Sequence, residues 1–380
     1  MKVMIYAEVN SLTTKGGAER YIKILVEGLI KSGIDVYLVT PFRILNKNAL
    51  IGDLKFNYIS LTNSIKIIKV IVNFFDLIQT IKRINPDIIH ISGNPFIQVF
   101  ILIYAKYKKI PCINTYHGEG TTKLGSFYTK ITTFLFLNLY KKILAQTDRE
   151  YEKLLKRKVK SDKLLLFRFI GVDVKKFACN DIKKRNYKQI LFVGRLDDDH
   201  PYKGLELLLY AIKKYNETFT DNISLKVVGG GNLKNYYEGI AHYLKIDASF
   251  LGDVSEEMLI ELYCTSGVFV LPSNSTAEGF GTVVLEAIAT GVPVIVSKYA
   301  GISELILKYD AGLVVDPYNV EDFAKKLNLL IYNEKLKEKY ISNAYRMIKI
   351  EKLIWEDIIN KTIDIYKEII SQTRYERKYY

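Results

Sequence analysis

Ala277-Glu278-Gly279-Phe280-Gly281-Thr282-Val283-Val284-Leu285-Glu286-Ala287-Ile288-Ala289-Thr290-Gly291-Val292-Pro293-Val294-Ile295 reads as loop, helix, stop and strand in one continuous run. Glycines open it, an apolar helix runs to Gly291, and a β-branched strand follows over Val292 to Ser297. Its two carboxylates are eight residues apart, Glu278 ahead of the helix and Glu286 about two turns inside it. If the helix begins near Phe280, the N–H groups at its head, around Phe280, Gly281 and Thr282, are free to hold phosphate. Glu286 would then reach a ribose diol, and Glu278 would face a sugar.

Outward from this segment, short β-branched runs alternate with longer helical patterns. In the first half Val3 to Val9, Ile34 to Thr40, Ile88 to Ser92, Cys112 to Tyr116 and Lys142 to Gln146 read as strands. Glu19 to Ser32, Ile65 to Ile84 and Phe96 to Lys109 read as helices. The second half repeats the scheme with strands at Gln189 to Val193, Leu225 to Val228, Val268 to Leu271, Val292 to Ser297 and Gly312 to Val315. Repeated βαβ units imply an α/β chain with two doubly wound parallel-sheet domains. The expected division is 1–180, 181–350 and a C-terminal helical segment, 351–380, that packs back on the first domain. The polar stretch Asn180 to Lys188 marks the connection.

In open parallel sheets ligands sit at the carboxyl ends of strands. The motifs should therefore lie in strand-to-helix loops. Lys15-Gly16-Gly17-Ala18-Glu19-Arg20 opens a helix, and its glycines allow close approach to a phosphate. His117-Gly118 follows an apolar strand and places an imidazole at the strand tip, while His90 reads as a strand-end packing residue. Gly194-Arg195 and Lys203-Gly204 supply a guanidinium fork and a point charge suited to a diphosphate. Asp197-Asp198-Asp199-His200 between them reads as a solvated loop rather than a magnesium site. Gly229-Gly230-Gly231 permits close passage of a nucleotide, but no Walker lysine follows it.

The chain has 380 residues, 49% hydrophobic and 25% charged, which excludes disorder and low complexity. Its net charge of +14 is unevenly divided, because residues 1–180 carry 29 Lys and Arg against 13 Asp and Glu, a net +16. Such a half suits nucleic acid, an anionic membrane or a phosphate-bearing substrate. The three cysteines are scattered and the four histidines are unpaired, so neither a disulfide framework nor a zinc site is expected. Met1 to Val9 reads as a strand rather than a signal peptide, and no apolar run approaches the length of a membrane span. A cytoplasmic location is the expectation.

In the order and character of these motifs the chain resembles the retaining glycosyltransferases of family 4, which have the GT-B arrangement of two Rossmann-like domains facing a central cleft. The resemblance rests on Gly16-Gly17-Ala18-Glu19-Arg20, His117-Gly118, Gly194-Arg195 with Lys203-Gly204, the triple glycine, Phe250-Leu251-Gly252 and the Glu278 to Glu286 segment. It implies metal-independent transfer of a hexose from a nucleoside-diphosphate sugar, a UDP- or GDP-sugar, with no tightly bound cofactor. The donor would lie in the second domain and the acceptor on the first. Arg195 and Lys203 would bind the diphosphate, Glu286 the ribose, and Gly16-Gly17 would close over the phosphates. Glu278, with the Phe280 and Gly281 backbone, would hold the hexose, and His117 would contact the sugar or the leaving group. The acidic insert Asp197 to His200 departs from the family's spacing.

The implied acceptor is a glycan, a glycolipid or a lipid-linked sugar. Ile65 to Asp76 and Phe127 to Lys142 mix apolar and cationic residues in a way that suits the inner face of an anionic membrane as well as a packed core. Two rivals stand beside the transferase reading. A related GT-B sugar-phosphate enzyme, such as a phosphorylase or epimerase, is separated by product analysis with and without acceptor. A non-catalytic basic binding protein is favoured by charge alone, and no nucleic-acid recognition motif is present.

Overall fold

A computed structural model describes residues 1–7, 17–40, 57–60, 68–92, 95–116, 136–179, 185–219 and 221–379. The chain forms two compact units, Met1–Ile170 with Trp355–Tyr380, and Gly171–Ile354. The units part at 170/171 and 354/355, where the sequence suggested 180/181 and 350/351.

The first unit is built on a seven-stranded parallel sheet: β1 (Lys2–Ala7), β2 (Asp35–Thr40), β3 (Asn57–Ser60), β4 (Ile88–Ser92), β5 (Cys112–Tyr116), β6 (Lys142–Ala145) and β7 (Leu164–Leu166), in the order β3-β2-β1-β4-β5-β6-β7. Met4 pairs with Tyr37 on one side and Ile89 on the other, so the order reverses at β1. The central strands β4 and β5 are buried along their whole length, and β1 from Val3 onward, because helices cover both faces, and β1 and β4 are correspondingly rich in apolar residues without alternation. Helices α1 (Gly17–Lys31), α2 (Ile68–Ile84), α3 (Pro95–Tyr107) and α4 (Asp148–Lys156) connect the strands. Thr147 and Glu150 close a reciprocal capping box at the head of α4.

The long C-terminal helix, Trp355–Tyr379, belongs to this first unit: Ile358, Ile359, Tyr366 and Ile369 join the core formed by α1 and the sheet. Gly28 permits the close crossing, since a Cβ there would lie 2.6 Å from Ile359 Cγ1. His90 lies in the middle of β4 rather than at its end. It is fully buried, with Nδ1 2.5 Å from the Tyr366 hydroxyl and Nε2 3.2 Å from Thr115 Oγ1. This polar link ties the C-terminal helix to two strands.

The second unit carries a six-stranded parallel sheet: β8 (Asn186–Val193), β9 (Ser224–Val228), β10 (Ala248–Gly252), β11 (Ser266–Leu271), β12 (Val294–Ser297) and β13 (Leu313–Val315), ordered β10-β9-β8-β11-β12-β13. Its helices are α5 (Leu205–Thr218), α6 (Lys234–Tyr243), α7 (Glu256–Thr265), α8 (Thr282–Ala289), α9 (Ser303–Tyr309), α10 (Val320–Tyr332) and α11 (Glu334–Ile350); the helix of the first unit is α12 (Trp355–Tyr379). One expectation fails here. Cys179 and Cys264 form a disulfide with Cα atoms 5.7 Å apart, although they are 85 residues apart in sequence. Spacing along the chain could not reveal that the end of α7 meets the segment before β8. Cys112 alone is a free, buried thiol. Among the described residues no helix is long and apolar enough to cross a membrane. Most of Phe127 to Lys142, and the side chains of Ile65 to Phe74, lie outside the described residues.

Candidate active site

The carboxyl end of the six-stranded sheet is a seam of three loops. Gly194 N–H donates to Val228 O at 3.0 Å, Leu196 N–H to Gly230 O at 2.9 Å, and Leu233 N–H back to Leu196 O at 2.8 Å. Gly229 N–H donates to Gly252 O at 2.8 Å, and Gly230 N–H to Asp253 Oδ1 at 3.1 Å. The triple glycine serves this seam. Gly229 and Gly231 have φ of +130° and +150°, and a Cβ would meet Gly194 O at 2.0 Å or Leu196 O at 2.1 Å. Their freedom lets the neighbouring loop backbone approach, which a nucleotide-cradle reading of the sequence does not require.

Lys203 ends a short 3-10 turn, Pro201–Lys203, and Gly204 follows in the left-handed region at φ +73°. A side chain at Gly204 would strike Pro272 O, so this turn lies directly on the segment leaving β11. The consequence is an ion pair. Lys203 Nζ donates to both oxygens of Glu278 at 2.9 Å, and Ser273 Oγ donates to Glu278 Oε2 at 2.7 Å. The Glu278 side chain is only 3% exposed and that of Lys203 18%. Tyr202 flanks the pair with its ring 5.5 Å from Lys203 Nζ; burial, with the Glu278 charge adding to it, pushes its hydroxyl up to about 12. Lys203 therefore sits on the carboxylate that the sequence assigned to the sugar.

The acidic insert is part of the same construction. Arg195 Nη1 lies 3.2 Å from His200 Nε2, and His200 Nδ1 meets Asp197 Oδ1. A guanidinium can only donate, so Nε2 accepts and the ring proton is on Nδ1, donating to Asp197. Asp198 receives Asn232 Nδ2 instead. The insert thus orients Arg195 and braces the loop after β9.

Glu278 closes the turn Thr276–Glu278, four residues before α8. Gly279 and Gly281 have φ of +61° and +89°, and the turn between them is held by Gly301 N–H to Gly279 O at 2.6 Å and Ile302 N–H to Phe280 O at 2.9 Å. The helix begins at Thr282, two residues later than the sequence suggested, with Gly281 as an N-cap that has no side chain to offer. The head of α8 has no side-chain cap, and its N–H groups suit an anion. Its far end is fixed by buried Arg185, which donates to Gly291 O at 2.6 Å and Thr290 O at 3.0 Å. Glu286 is 2% exposed, and the Tyr263 hydroxyl lies 3.1 Å from its Oε2.

The structure thus brings Arg195, Lys203, Glu278, Phe280, Gly281, Thr282 and Glu286 into one unit, at the loops and helix that follow its strands. Gly17 is already the first residue of α1, and Gly16 and His117 lie outside the described residues. The sequence reading missed Ser273 and Tyr202, took His200 for part of a solvated loop, and missed Tyr263. Only proximity to named residues could have signalled the first three, and Tyr263 is brought to Glu286 across 23 positions by packing alone.

Two family models match the chain. Glycosyltransferase Family 4 covers residues 15–166 and Glycosyl transferases group 1 covers 175–347. An uncharacterized glycosyltransferase of Methanocaldococcus jannaschii is 35% identical over 182 residues, 47% of this chain and 45% of that protein, so this match spans less than half of the relative's length. The N,N'-diacetylbacillosaminyl-diphospho-undecaprenol alpha-1,3-N-acetylgalactosaminyltransferase of Campylobacter jejuni is 29% identical over 304 residues, 72% of this chain and 76% of that protein. Among solved structures, a glycosyltransferase from Rickettsia africae superposes with a TM-score of 0.79 at 21% identity, covering 97% of this chain and 98% of that one.

Proposed function

The chain belongs to glycosyltransferase family 4 and has the GT-B fold, and from that premise we propose that it is a retaining, metal-independent transferase that moves a hexose from a nucleoside-diphosphate sugar to a lipid-linked or glycan acceptor. The observation that carries this reading is the Lys203–Glu278–Ser273 cluster just ahead of the uncapped head of α8. A cation and a set of N–H groups meet there, beside a carboxylate held by named donors.

In this mechanism the diphosphate of the donor takes Lys203, Arg195 and the N–H groups around Phe280, Gly281 and Thr282 as its partners. These stabilise the negative charge that grows as the bond from the anomeric carbon to the phosphate oxygen breaks. Lys203 passes from Glu278 to phosphate, which leaves Glu278 to accept sugar hydroxyls beside a carbon gaining positive character. The acceptor oxygen attacks from the face the phosphate leaves, and the acceptor's proton passes to the departing phosphate. Glu286, oriented by Tyr263, is assigned the ribose. His117 and the Gly16-Gly17 pair keep the roles that the resemblance implies. The undecaprenol in the Campylobacter relative's name supports a lipid-linked acceptor, and the +16 charge of residues 1–180 supports work at the inner, anionic face of the cell membrane.

The test is thermal stabilisation by UDP-, GDP-, ADP- and dTDP-sugars without metal, followed by transfer assays on Glu278→Ala. We expect one donor to stabilise the protein. The variant should keep that stabilisation and lose transfer by about a thousandfold or more. Wild-type transfer by the variant would remove Glu278 from the reaction. The Cys179–Cys264 pair lies within bonding distance, and whether that bond stays closed depends on the redox state of the compartment, the inner face of the membrane being a reducing one. Alkylation of protein isolated without reductant decides the location: three modified thiols for the cytoplasm, one for an oxidising compartment.

A further inference from the structure

At the opposite, amino end of the seven-stranded sheet, the first unit contains a cavity of about 370 Å³ that the transferase reading does not use. It opens where α2, α3 and α12 all end, above the segments leading into β4 and β5. Part of its wall is apolar, with Ile81 and Ile370 buried and Ile110 and the Tyr104 ring half-buried, and Asn85, Asp87 and Thr373 make the rest polar. Its rim is cationic, with Lys82 from α2, Lys108 just past α3, and Arg374 and Arg377 one turn apart on α12.

The ordinary explanation for cations in such a place is the negative end of a helix, and three helices end here. Each terminus amounts to roughly half a negative charge. Together with Asp87, the one acidic side chain of the lining, they leave a net positive charge of roughly 1.5 against the four cations. Asp87 is already engaged, accepting the Lys2 N–H at 2.8 Å and Arg374 Nη2 at 2.9 Å. Arg377 donates to the Lys109 carbonyl. Among the described residues neither Lys82 nor Lys108 has a carboxylate within ion-pair reach. Helix termini therefore account for part of the rim, not all of it.

We infer that this cavity binds a phosphate-bearing amphiphile, its phosphate held at the rim and its short apolar part against Ile81, Tyr104, Ile110 and Ile370. Cations arriving from three helices surround a guest from three sides, which fits a tetrahedral phosphate better than a planar carboxylate. The rim's charge excludes metal ions and basic peptides, and a cup with a partly apolar wall is not the extended stripe that a nucleic-acid backbone needs. The same chemistry is offered by a free phosphorylated metabolite and by an anionic lipid headgroup entering from a bilayer. The inference does not depend on the transferase reading, and its test does not measure transfer.

Binding of inorganic phosphate, octyl phosphate and vesicles of equal parts phosphatidylcholine and phosphatidylglycerol is compared for the full chain and two variants. Lys82→Gln/Lys108→Gln removes rim charge at exposed positions, and Lys153→Gln/Lys156→Gln removes the same charge from α4. We expect octyl phosphate to bind more tightly than inorganic phosphate, or the anionic vesicles to bind where pure phosphatidylcholine does not. The rim variant should weaken that binding about thirtyfold and the α4 variant little. Tyr104→Ala, which removes one wall, should weaken octyl phosphate or vesicle binding without altering net charge. Octyl phosphate alone identifies a soluble ligand, and vesicles alone a headgroup. No binding to any probe, or equal losses in both lysine variants, overturns the inference.

Discussion

The two sheets each gather positive charge at one end, and they use it in opposite ways. At the carboxyl end of the six-stranded sheet Lys203 is tied to both oxygens of Glu278 and Arg195 to a histidine that Asp197 orients. At the amino end of the seven-stranded sheet Lys82 and Lys108 stand at a cavity mouth with no carboxylate in reach among the described residues. The first arrangement holds its cations in place before any ligand arrives, which favours a defined geometry for a reacting group. The second leaves them without a carboxylate partner among the described residues, Lys108 resting only over the Tyr107 ring at 5.0 Å. That favours attraction of an anion over precise placement.

The sharpest way to break the first arrangement is through its backbone. Gly231→Ala forces a Cβ to within 2.1 Å of Leu196 O at a φ of +150°. It should destabilise the second unit by about 3 kcal/mol or more, read as a lowered urea midpoint, because the clash is with backbone that cannot turn aside. A wild-type midpoint would mean the seam is plastic. Lys203→Ala comes next: it leaves a nearly buried carboxylate with Ser273 as its remaining side-chain donor, and should cost about 2 kcal/mol, less than a fully buried pair because Lys203 is partly exposed. The double variant Lys203→Ala/Glu278→Ala should recover more than half of that loss, and simple additivity would show that the pair is not coupled.

Tyr263→Phe removes one hydroxyl from Glu286 and should cost about 1 kcal/mol in stability. If Glu286 holds the ribose, the same change raises the donor KM while kcat stays near wild type; an effect on kcat alone would place Tyr263 elsewhere in the mechanism. The smallest effect belongs to the other sheet. Lys82→Ala and Lys108→Ala should each leave the urea midpoint within about 0.5 kcal/mol of wild type, because they break no ion pair. A larger loss at either position would erase the distinction between the two ends.

The doubly wound architecture was legible because both faces of a parallel sheet are covered, so Met4 to Ala7 and, His90 apart, Ile88 to Ile91 are apolar without alternation. Three strands escaped the reading: Asn57–Ser60, Leu164–Leu166 and Ala248–Gly252. All three lie at sheet edges and are three to five residues long, too short to establish a period. Near the site, the glycines at 229, 231 and 281 were visible as sites of unusual backbone, but a glycine does not say what approaches it.

By itself the sequence determined the fold class, the loops that carry chemistry and the residue types in them, because these depend on local periodicity and on where strands hand over to helices. Only the tertiary structure decided that Lys203 rests on Glu278, that Tyr263 reaches Glu286, that Cys179 joins Cys264, and that four cations from three helices share one cavity. Each of these is a meeting of segments brought together by packing. Periodicity along a chain carries no information about such meetings.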